Sequence, residues 1–308
     1  MKPFIKIGTR GSTLALYQTQ LLQTHLEMVF PMVRFETVTI KTTGDLLRAG
    51  SVRRDNASKR IYTLEIEEAL LAGDIDLAVH SAKDLSVPLP RGLKIGAVLE
   101  REDPRDCLIT KSGKKMGELE SGAVIGTSAL RRRAQLVRMN HDLVLADLHG
   151  NVDTRVRKAL AGDYDGIVLA LAGLKRLDLD HHVSEIFPEE TFLPAPGQGI
   201  IAVESRENDP DIDEFLVSVN HAPTMVQLTC ERAFLERLDG GCQLPCGMTS
   251  VLSAKRIRVK GILLMPNGSR WVEREMEETA EDPEEIGKAL AEIILEDGGR
   301  KILNEIQR

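Results

Sequence analysis

The sequence predicts a mixed α/β fold followed by a small α+β domain at the C-terminal end. Strand, glycine-containing turn, helix and strand follow one another over residues 4–40, an order that indicates a parallel α/β layer. A second series of such units runs from about residue 123 to residue 176. From about His221 the pattern changes to strands enclosed by two helices. A length of 308 residues is consistent with two or three domains.

The first α/β unit is well marked by local signals. Residues 4–7 form a predicted strand, and Ser12 is a good N-cap for the helix that follows the turn at 8–12. An apolar stripe continues through this helix until Pro31 ends it. Residues 33–40 are rich in β-branched side chains and predict the second strand.

Residues 44–60 form a polar, arginine-rich stretch with little periodicity. A loop of this length inside a compact domain is usually functional or disordered. Two interpretations stand equally here: a mobile lid over a site, or a solvated insertion.

A helix is predicted at 62–72 and ends at Gly73. The strand predicted at 75–79 follows it and leads to the charged pair Lys83 and Asp84. Lys83 and Asp84 follow its carboxyl end, which is where open α/β sheets bind ligands. The two charges are either solvent-exposed or a catalytic carboxylate beside a cationic anchor.

The second α/β domain begins after a charged, proline-containing crossing at 100–106. A strand at 123–126 precedes Thr127 and Ser128, which cap a helix carrying three consecutive arginines, 131–133. Free N–H groups and the helix dipole favour an anion there, although a solvated basic face would have the same pattern. Further strands are predicted at 144–147 and 166–169.

A rigid turn at 193–199 precedes a strand at 200–204, where we expect a return to the first domain. The C-terminal part has a predicted helix at 224–238, strands at 249–253, 256–264 and 271–277, and a helix at 283–295. The predicted domains are therefore 1–99 with 200–217, then 100–199, then 218–308.

Cys242 lies on a glycine-rich loop within the segment LDGGCQLPCGM, residues 238–248. Such a loop keeps a sulfur accessible, which suits a covalent attachment point or a nucleophile. A small buried side chain is the alternative. The other three cysteines are expected to be reduced thiols, since four uneven cysteines make no disulfide framework and the histidines show no metal-site spacing.

Composition excludes several function classes. A net charge of −7 and an aromatic content of 4% disfavour nucleic-acid binding. The basic residues nevertheless cluster between 131 and 176, which indicates a small polyanionic ligand. The N-terminus has no secretion signal and no run approaches the length of a membrane span, so we expect a soluble cytoplasmic protein without a membrane partner.

Several motifs, in this order along the chain, resemble those of the porphobilinogen deaminase family. They are IGTRGSTLALYQ (7–18), DLAVHSAKDL (76–85), IGTSALRRRAQL (125–136), GNVDTR (150–155), AGLKRL (172–177), LPAPGQG (193–199) and GGCQLP (240–245).

The resemblance implies two α/β domains similar to periplasmic binding proteins and a third, α+β domain that presents the cofactor cysteine. It also implies that four molecules of porphobilinogen are deaminated and joined head to tail into hydroxymethylbilane. The chain would grow on a dipyrromethane primer attached through a thioether to Cys242. A monomer that passes its product to the next tetrapyrrole enzyme is expected by the same likeness.

By the same resemblance, Asp84 is the catalytic acid. Arginine suits the many carboxylates of a growing pyrrole chain because it binds them bidentately and stays protonated. The residues implied to bind the cofactor are Lys83, Asp84, Ser128, Arg131 and Arg132. Those implied to bind the substrate are Arg10, Ser12, Gln18, Tyr62, His149, Arg155, Arg176 and Gln198.

Three departures from the family pattern stand out. Position 149 is His where Arg is usual, position 129 is Ala where Ser is common, and residues 60–65 replace a glycine- and lysine-containing stretch. The alternative function is a non-catalytic binding protein for a small polyanion, which would need neither Cys242 nor Asp84.

Overall fold

The computed structural model describes residues 2–48, 61–238 and 244–306. The chain divides into two compact units, Met1–Glu102 with Ile200–Met225, and Asp103–Gly199 with Val226–Arg308. The division into three domains stays a prediction.

Strands and helices both occur along the whole described chain. The strands are β1 (Phe4–Thr9), β2 (Arg34–Thr39), β3 (Leu77–Ser81), β4 (Leu93–Val98), β5 (Asp106–Ile109), β6 (Val124–Gly126), β7 (Val144–Ala146), β8 (Gly166–Ala170), β9 (Glu185–Ile186), β10 (Ile201–Arg206), β11 (Cys246–Ser253), β12 (Arg256–Leu264) and β13 (Trp271–Thr279). The helices are α1 (Thr13–Val29), α2 (Thr43–Arg48), α3 (Leu64–Ala72), α4 (Leu130–Met139), α5 (Val152–Ala161), α6 (Leu171–Lys175), α7 (Pro210–Val219), α8 (Ala222–Arg237), α9 (Pro283–Ile294) and α10 (Arg300–Ile306).

The first unit is built on a five-stranded sheet in the order β2-β1-β3-β10-β4. β1 runs parallel to β2 and β3, whereas β10 is antiparallel to β3 and β4. One sheet face packs on buried side chains such as Leu22 of α1 and Phe215 of α7. The other face packs on Ile66 and Leu70 of α3. Burial on both faces suits the apolar side chains of its inner strands, such as Ile5, Ile7, Leu77 and Val79.

The sheet in the second unit repeats this pattern in the order β7-β6-β8-β5-β9. β6 is parallel to β7 and β8, and β5 is antiparallel to its neighbours. The carboxyl ends of the three parallel strands therefore lie at one edge of the sheet. α4, α5 and α6 all begin at that edge.

The C-terminal part of the second unit is an antiparallel sheet, β11-β12-β13, covered by helices. Its core includes Phe234 of α8 and Leu290 of α9. α8 and α9 cross closely at Gly287, where a Cβ would overlap the backbone carbonyl of Cys230.

The structure confirms the predicted fold class, a mixed α/β arrangement with a C-terminal sheet and helices. It differs from the predicted polar loop at 44–60, because Thr43–Arg48 forms α2, and residues 49–60 lie outside the described part. Sequence reasoning also missed β4, β5, β9, α7 and α10. Among them, β9 spans only two residues, and β5 and α10 begin with a charged residue, so neighbouring strands and helices stabilise these three more than their own pattern does. No helix among the described residues is long and apolar enough to cross a membrane.

Candidate active site

In the first unit, a tight turn presents Lys83 and Asp84 directly after β3. The 3-10 turn Ala82–Asp84 is held by a hydrogen bond from the Ala82 N–H to the Ile200 carbonyl, at 3.0 Å. Ala82 and Leu85 are buried on either side, while Lys83 and Asp84 are half-buried. Buried anchors on both sides fix the backbone of the pair at the carboxyl end of a strand.

α1 begins beside this turn and is tied to it. The Ser12 hydroxyl accepts a hydrogen bond from the Ala15 N–H at 3.3 Å, as an N-cap should. One turn later the Gln18 amide donates to the Ser81 hydroxyl at 3.0 Å. Gln18 is buried, so this bond also satisfies a polar group taken from water.

Arg10 follows β1 and is held by two neighbours. Its Nη2 donates to Oδ1 of Asp45 at 2.5 Å and its Nε to Oδ2 at 3.3 Å. Its guanidinium also lies 4.5 Å from the centre of the Tyr62 ring. Burial raises the pKa of Asp45, but hydrogen bonds from Arg10 and Thr42 and the charge of Arg10 outweigh it and hold that pKa below its ordinary value.

In the second unit, two helix N-termini lie side by side at the sheet edge. α4 and α5 follow the neighbouring parallel strands β6 and β7, and neither is capped by its own N-cap side chain, Ala129 or Asn151. The Ser128 hydroxyl joins the two preceding loops: it donates to the Leu148 carbonyl and accepts from the Leu148 N–H, both at 3.0 Å. Helix dipoles converging in this way favour a bound anion.

Two arginines of α4 converge on a single buried carboxylate, Asp106. Arg131 Nη1 donates to Oδ2 at 2.6 Å, and Arg132 Nη2 donates to Oδ1 at 2.7 Å. Burial raises the pKa of Asp106, but the charges of Arg131 and Arg132 outweigh it and lower that pKa to about 2. The cluster therefore carries one net positive charge.

The remaining predicted residues of this unit surround the same edge. The Gln198 amide donates to Asp106 Oδ1 at 3.0 Å and to the Pro104 carbonyl at 2.6 Å. Arg176 Nη2 donates to the Gly199 carbonyl at 2.6 Å, and Arg155 Nε donates to the Gly150 carbonyl at 2.8 Å. His149 is exposed in the loop before α5.

Comparison with known proteins settles which family has these features. The family model described as "Porphobilinogen deaminase, dipyromethane cofactor binding domain" matches residues 5–214, and "Porphobilinogen deaminase, C-terminal domain" matches residues 225–296. The chain belongs to the porphobilinogen deaminase family. Its members are transferases of tetrapyrrole biosynthesis, and this chain has the family's cofactor-binding domain.

Curated relatives match along the full length of the chain. The porphobilinogen deaminase of Thermus thermophilus is 45% identical over 304 residues, which is 98% of this chain and 99% of the relative. That of Carboxydothermus hydrogenoformans is 44% identical over 308 residues, covering 100% and 99%. The family therefore supports hydroxymethylbilane synthesis and does not favour a non-catalytic polyanion-binding protein.

Solved structures show weaker likeness. The periplasmic VFT2 domain of Bordetella pertussis BvgS has a TM-score of 0.43 at 12% identity, covering 75% of this chain and 92% of that chain. The methionine-binding protein MetQ has a TM-score of 0.44 at 14% identity, covering 74% and 95%. Likenesses this low do not identify a fold, which follows here from strand order and direction.

The structure brings the predicted residues into two groups, one in each unit. Cys242, the predicted attachment point, falls in residues 239–243 and lies outside the described residues. Sequence reasoning missed the role of Asp106, which it placed only at the end of the charged crossing segment 100–106. A signal was available: an acidic residue directly before the apolar run Cys107–Ile109 must be paired if the strand is buried.

Proposed function

We propose that this chain joins four porphobilinogen molecules into hydroxymethylbilane on a dipyrromethane primer carried by Cys242, with Asp84 as the catalytic acid. The supporting observation is the rigid turn that fixes Lys83 and Asp84 at the carboxyl end of β3. The proposal includes a cytoplasmic monomer that hands its product to the next enzyme of tetrapyrrole synthesis.

The described residues suit a primer that bears several carboxylates. The N-terminus of α4 has no side-chain cap, and Arg131 and Arg132 stand on its first turn. Thr127 Oγ1 is buried beside them without a hydrogen-bond partner among the described residues. Positively charged and N–H donors of this kind favour carboxylates. When bound, the primer supplies the nucleophilic pyrrole carbon on which the chain grows.

The residues that match the family's cofactor-binding set are assigned to the primer. Lys83 would neutralise a primer carboxylate beside Asp84, and Arg131 and Arg132 would attract others through the net charge of their cluster. Ser128 supports this edge by joining the loops before α4 and α5.

Asp84 would act on the incoming porphobilinogen. Loss of ammonia from this substrate leaves an electrophilic azafulvene with positive charge on the pyrrole. The Asp84 carboxylate beside the pyrrole N–H stabilises that charge, and it then helps to remove a proton after the new C–C bond has formed. Because Asp84 is half-buried, water screens this interaction less than it would at the surface.

The substrate's two carboxylates need cationic partners whose orientation is already set. Arg155 and Arg176 each donate one hydrogen bond to a backbone carbonyl, which fixes the direction of the guanidinium. Arg10 is oriented by Asp45 and Tyr62. Ser12, Gln18 and Gln198 would support these contacts, and His149 would add a weaker, pH-sensitive one.

Substitution of Asp84 tests the proposal. Asp84→Asn should still acquire the primer, seen as added mass on the intact protein, yet lose at least about 100-fold in kcat. Asp84→Glu should retain part of the activity. The matched control is Asp74→Asn, an exposed carboxylate in the same unit, which should leave kcat unchanged. Near-normal turnover by Asp84→Asn would remove Asp84 from the catalytic role.

A further inference from the structure

Glu231 is a fully buried carboxylate of α8 to which the proposed chemistry assigns no role. Its side chain has no solvent exposure. Its Oε2 accepts a hydrogen bond from the Gly197 N–H at 2.6 Å, and its Oε1 accepts one from the Ser250 hydroxyl at 2.5 Å. Glu231 therefore joins three segments of the second unit: α8, β11 and the turn at 193–199.

Two of those segments are the arms of the loop that carries Cys242. α8 ends at Arg237, five residues before Cys242, and β11 begins at Cys246, four residues after it. Gln227, one helical turn before Glu231, also donates to the Ser250 carbonyl at 2.6 Å. The two arms are thus joined to each other at Ser250 by both side chain and backbone.

The third segment, the 193–199 turn, is bonded to the arginine pair. Gln198, the neighbour of Gly197, donates to Asp106. At the other end of the turn, the Leu193 carbonyl accepts from Arg131 Nη1 at 2.6 Å. Gln135 holds Leu193 from both sides, donating to its carbonyl at 3.0 Å and accepting from its N–H at 2.8 Å.

We infer that Glu231 is a positioning residue that sets the arms of the cysteine loop in register with Arg131 and Arg132. Hydrogen bonds run from Ser250 through Glu231 and the 193–199 turn to Asp106, which binds both arginines. A buried carboxylate is expensive to desolvate, and apolar side chains of similar volume often replace buried ionic groups without loss of stability, so we attribute its place to a fixed register. This inference rests on the proposed attachment of the primer to Cys242.

Primer loading separates positioning from stability. The full chain prepared without primer is mixed with porphobilinogen, and the added dipyrromethane mass is followed with time on the intact protein. Glu231→Met removes both acceptors and should load at least 10-fold more slowly than the wild type. Glu231→Gln can still accept from Gly197 and donate to Ser250, so it should load within about 3-fold of the wild-type rate.

Two controls accompany these variants. Glu189→Met removes the carboxylate that bonds Thr249, the residue before Ser250, and should load like the wild type. Ile257→Val removes one methyl group from the core beneath the same sheet and lowers stability without touching Glu231. Its loading rate shows the effect of reduced stability by itself. All rates are measured well below the melting temperature of the least stable variant.

The outcomes are distinct. If the wild type gains no dipyrromethane mass, the proposed function fails. If the wild type loads and folded Glu231→Met loads equally fast, the inference about Glu231 fails while the proposed function stands. The same conclusion follows if Glu231→Met loads no more slowly than Ile257→Val at matched stability. If Glu231→Met does not fold, Ser250→Ala replaces it. We expect this variant to load 2- to 5-fold more slowly than the wild type. An unchanged loading rate would overturn the inference.

Discussion

Arg132 and Asp106 form a buried ion pair in which Nε and Nη2 of the arginine both donate to Oδ1 of the carboxylate, at 2.9 and 2.7 Å. Arg131 occupies the other carboxylate oxygen. Because Asp106 is fully buried, its charge and those of the two arginines depend on one another. Loss of any one of the three charges would therefore leave the others unbalanced inside the second unit, at the edge where α4 begins.

The first prediction concerns acid. Asp106 has an ordinary pKa of 3.8 and a folded-state pKa of about 2, so its contribution to stability is present above pH 3.8 and is lost as the pH falls toward 2. The shift corresponds to about 2 kcal/mol. Asp106→Asn should therefore lower the free energy of unfolding by at least about that amount at pH 7, measured by urea denaturation.

The difference between Asp106→Asn and the wild type should shrink as the pH approaches 2. Asp163→Asn, an exposed carboxylate of the same unit, is the control and should change stability little at either pH. A stability loss of the same size at pH 7 and pH 2.5 would show that the Asp106 charge is not its source.

The second prediction concerns Arg10, which Asp45 holds in the described structure. A substrate carboxylate must compete with Asp45 for the guanidinium. Asp45→Asn removes that competing charge while keeping an oxygen for Thr42, so KM for porphobilinogen should fall several-fold at low salt with kcat unchanged. The check is steady-state kinetics of Asp45→Asn, compared with Arg10→Ala, in which KM should rise. A KM that rises in Asp45→Asn would instead make Asp45 a required partner of Arg10.

The third prediction concerns the contact between β11 and the 193–199 turn. A Cβ on Gly247 would lie 2.8 Å from the Leu193 Cβ and 2.9 Å from its carbonyl oxygen. Gly247→Ala should therefore destabilise the protein by about 1–3 kcal/mol in thermal unfolding. Gly117→Ala, where nothing lies within 4 Å of the new Cβ, should stay within about 0.5 kcal/mol of the wild type. Equal effects would mean that the turn moves freely.

The fourth prediction concerns the histidine at position 149. Its side chain is exposed in the loop before α5. Arginine stays charged at every physiological pH, whereas histidine is only partly charged near neutral pH. His149→Arg should therefore lower KM, and more at pH 8 than at pH 6. An unchanged substrate affinity at both values would discard a role for this position.

Local signals predicted the features of this fold that depend on neighbouring residues. Ser12 caps α1 as expected, and Gly73 ends α3 in the left-handed conformation. The strand before Lys83 was also predicted, with bounds two residues earlier in the chain than those of β3. Each of these features is decided within a few residues, which is the range over which sequence patterns act.

The buried carboxylates could not be predicted in this way. The side chains bonded to Asp106 come from positions 25, 26 and 92 residues further along the chain. The groups bonded to Glu231, the Gly197 backbone N–H and the Ser250 hydroxyl, lie 34 residues before it and 19 after it. Only the tertiary fold brings such groups together, so a single sequence shows that a charge must be paired without showing its partner.

The fifth prediction concerns cysteine reactivity. Burial raises the pKa of the Cys107 and Cys230 thiols to about 12, and Cys246 is also buried. These three thiols should resist iodoacetamide in the native protein, since the thiolate is the reactive form. Native protein without primer should take up one label, at Cys242, and primed protein none. Denatured protein should take up label at every unmodified cysteine.

The most direct test of the account is peptide mass spectrometry of the active enzyme, which locates the primer on the chain. The peptide containing Cys242 should carry the mass of a dipyrromethane, and Cys242→Ala should lack both that mass and activity. A free thiol at Cys242 in enzyme that turns over porphobilinogen would contradict the account.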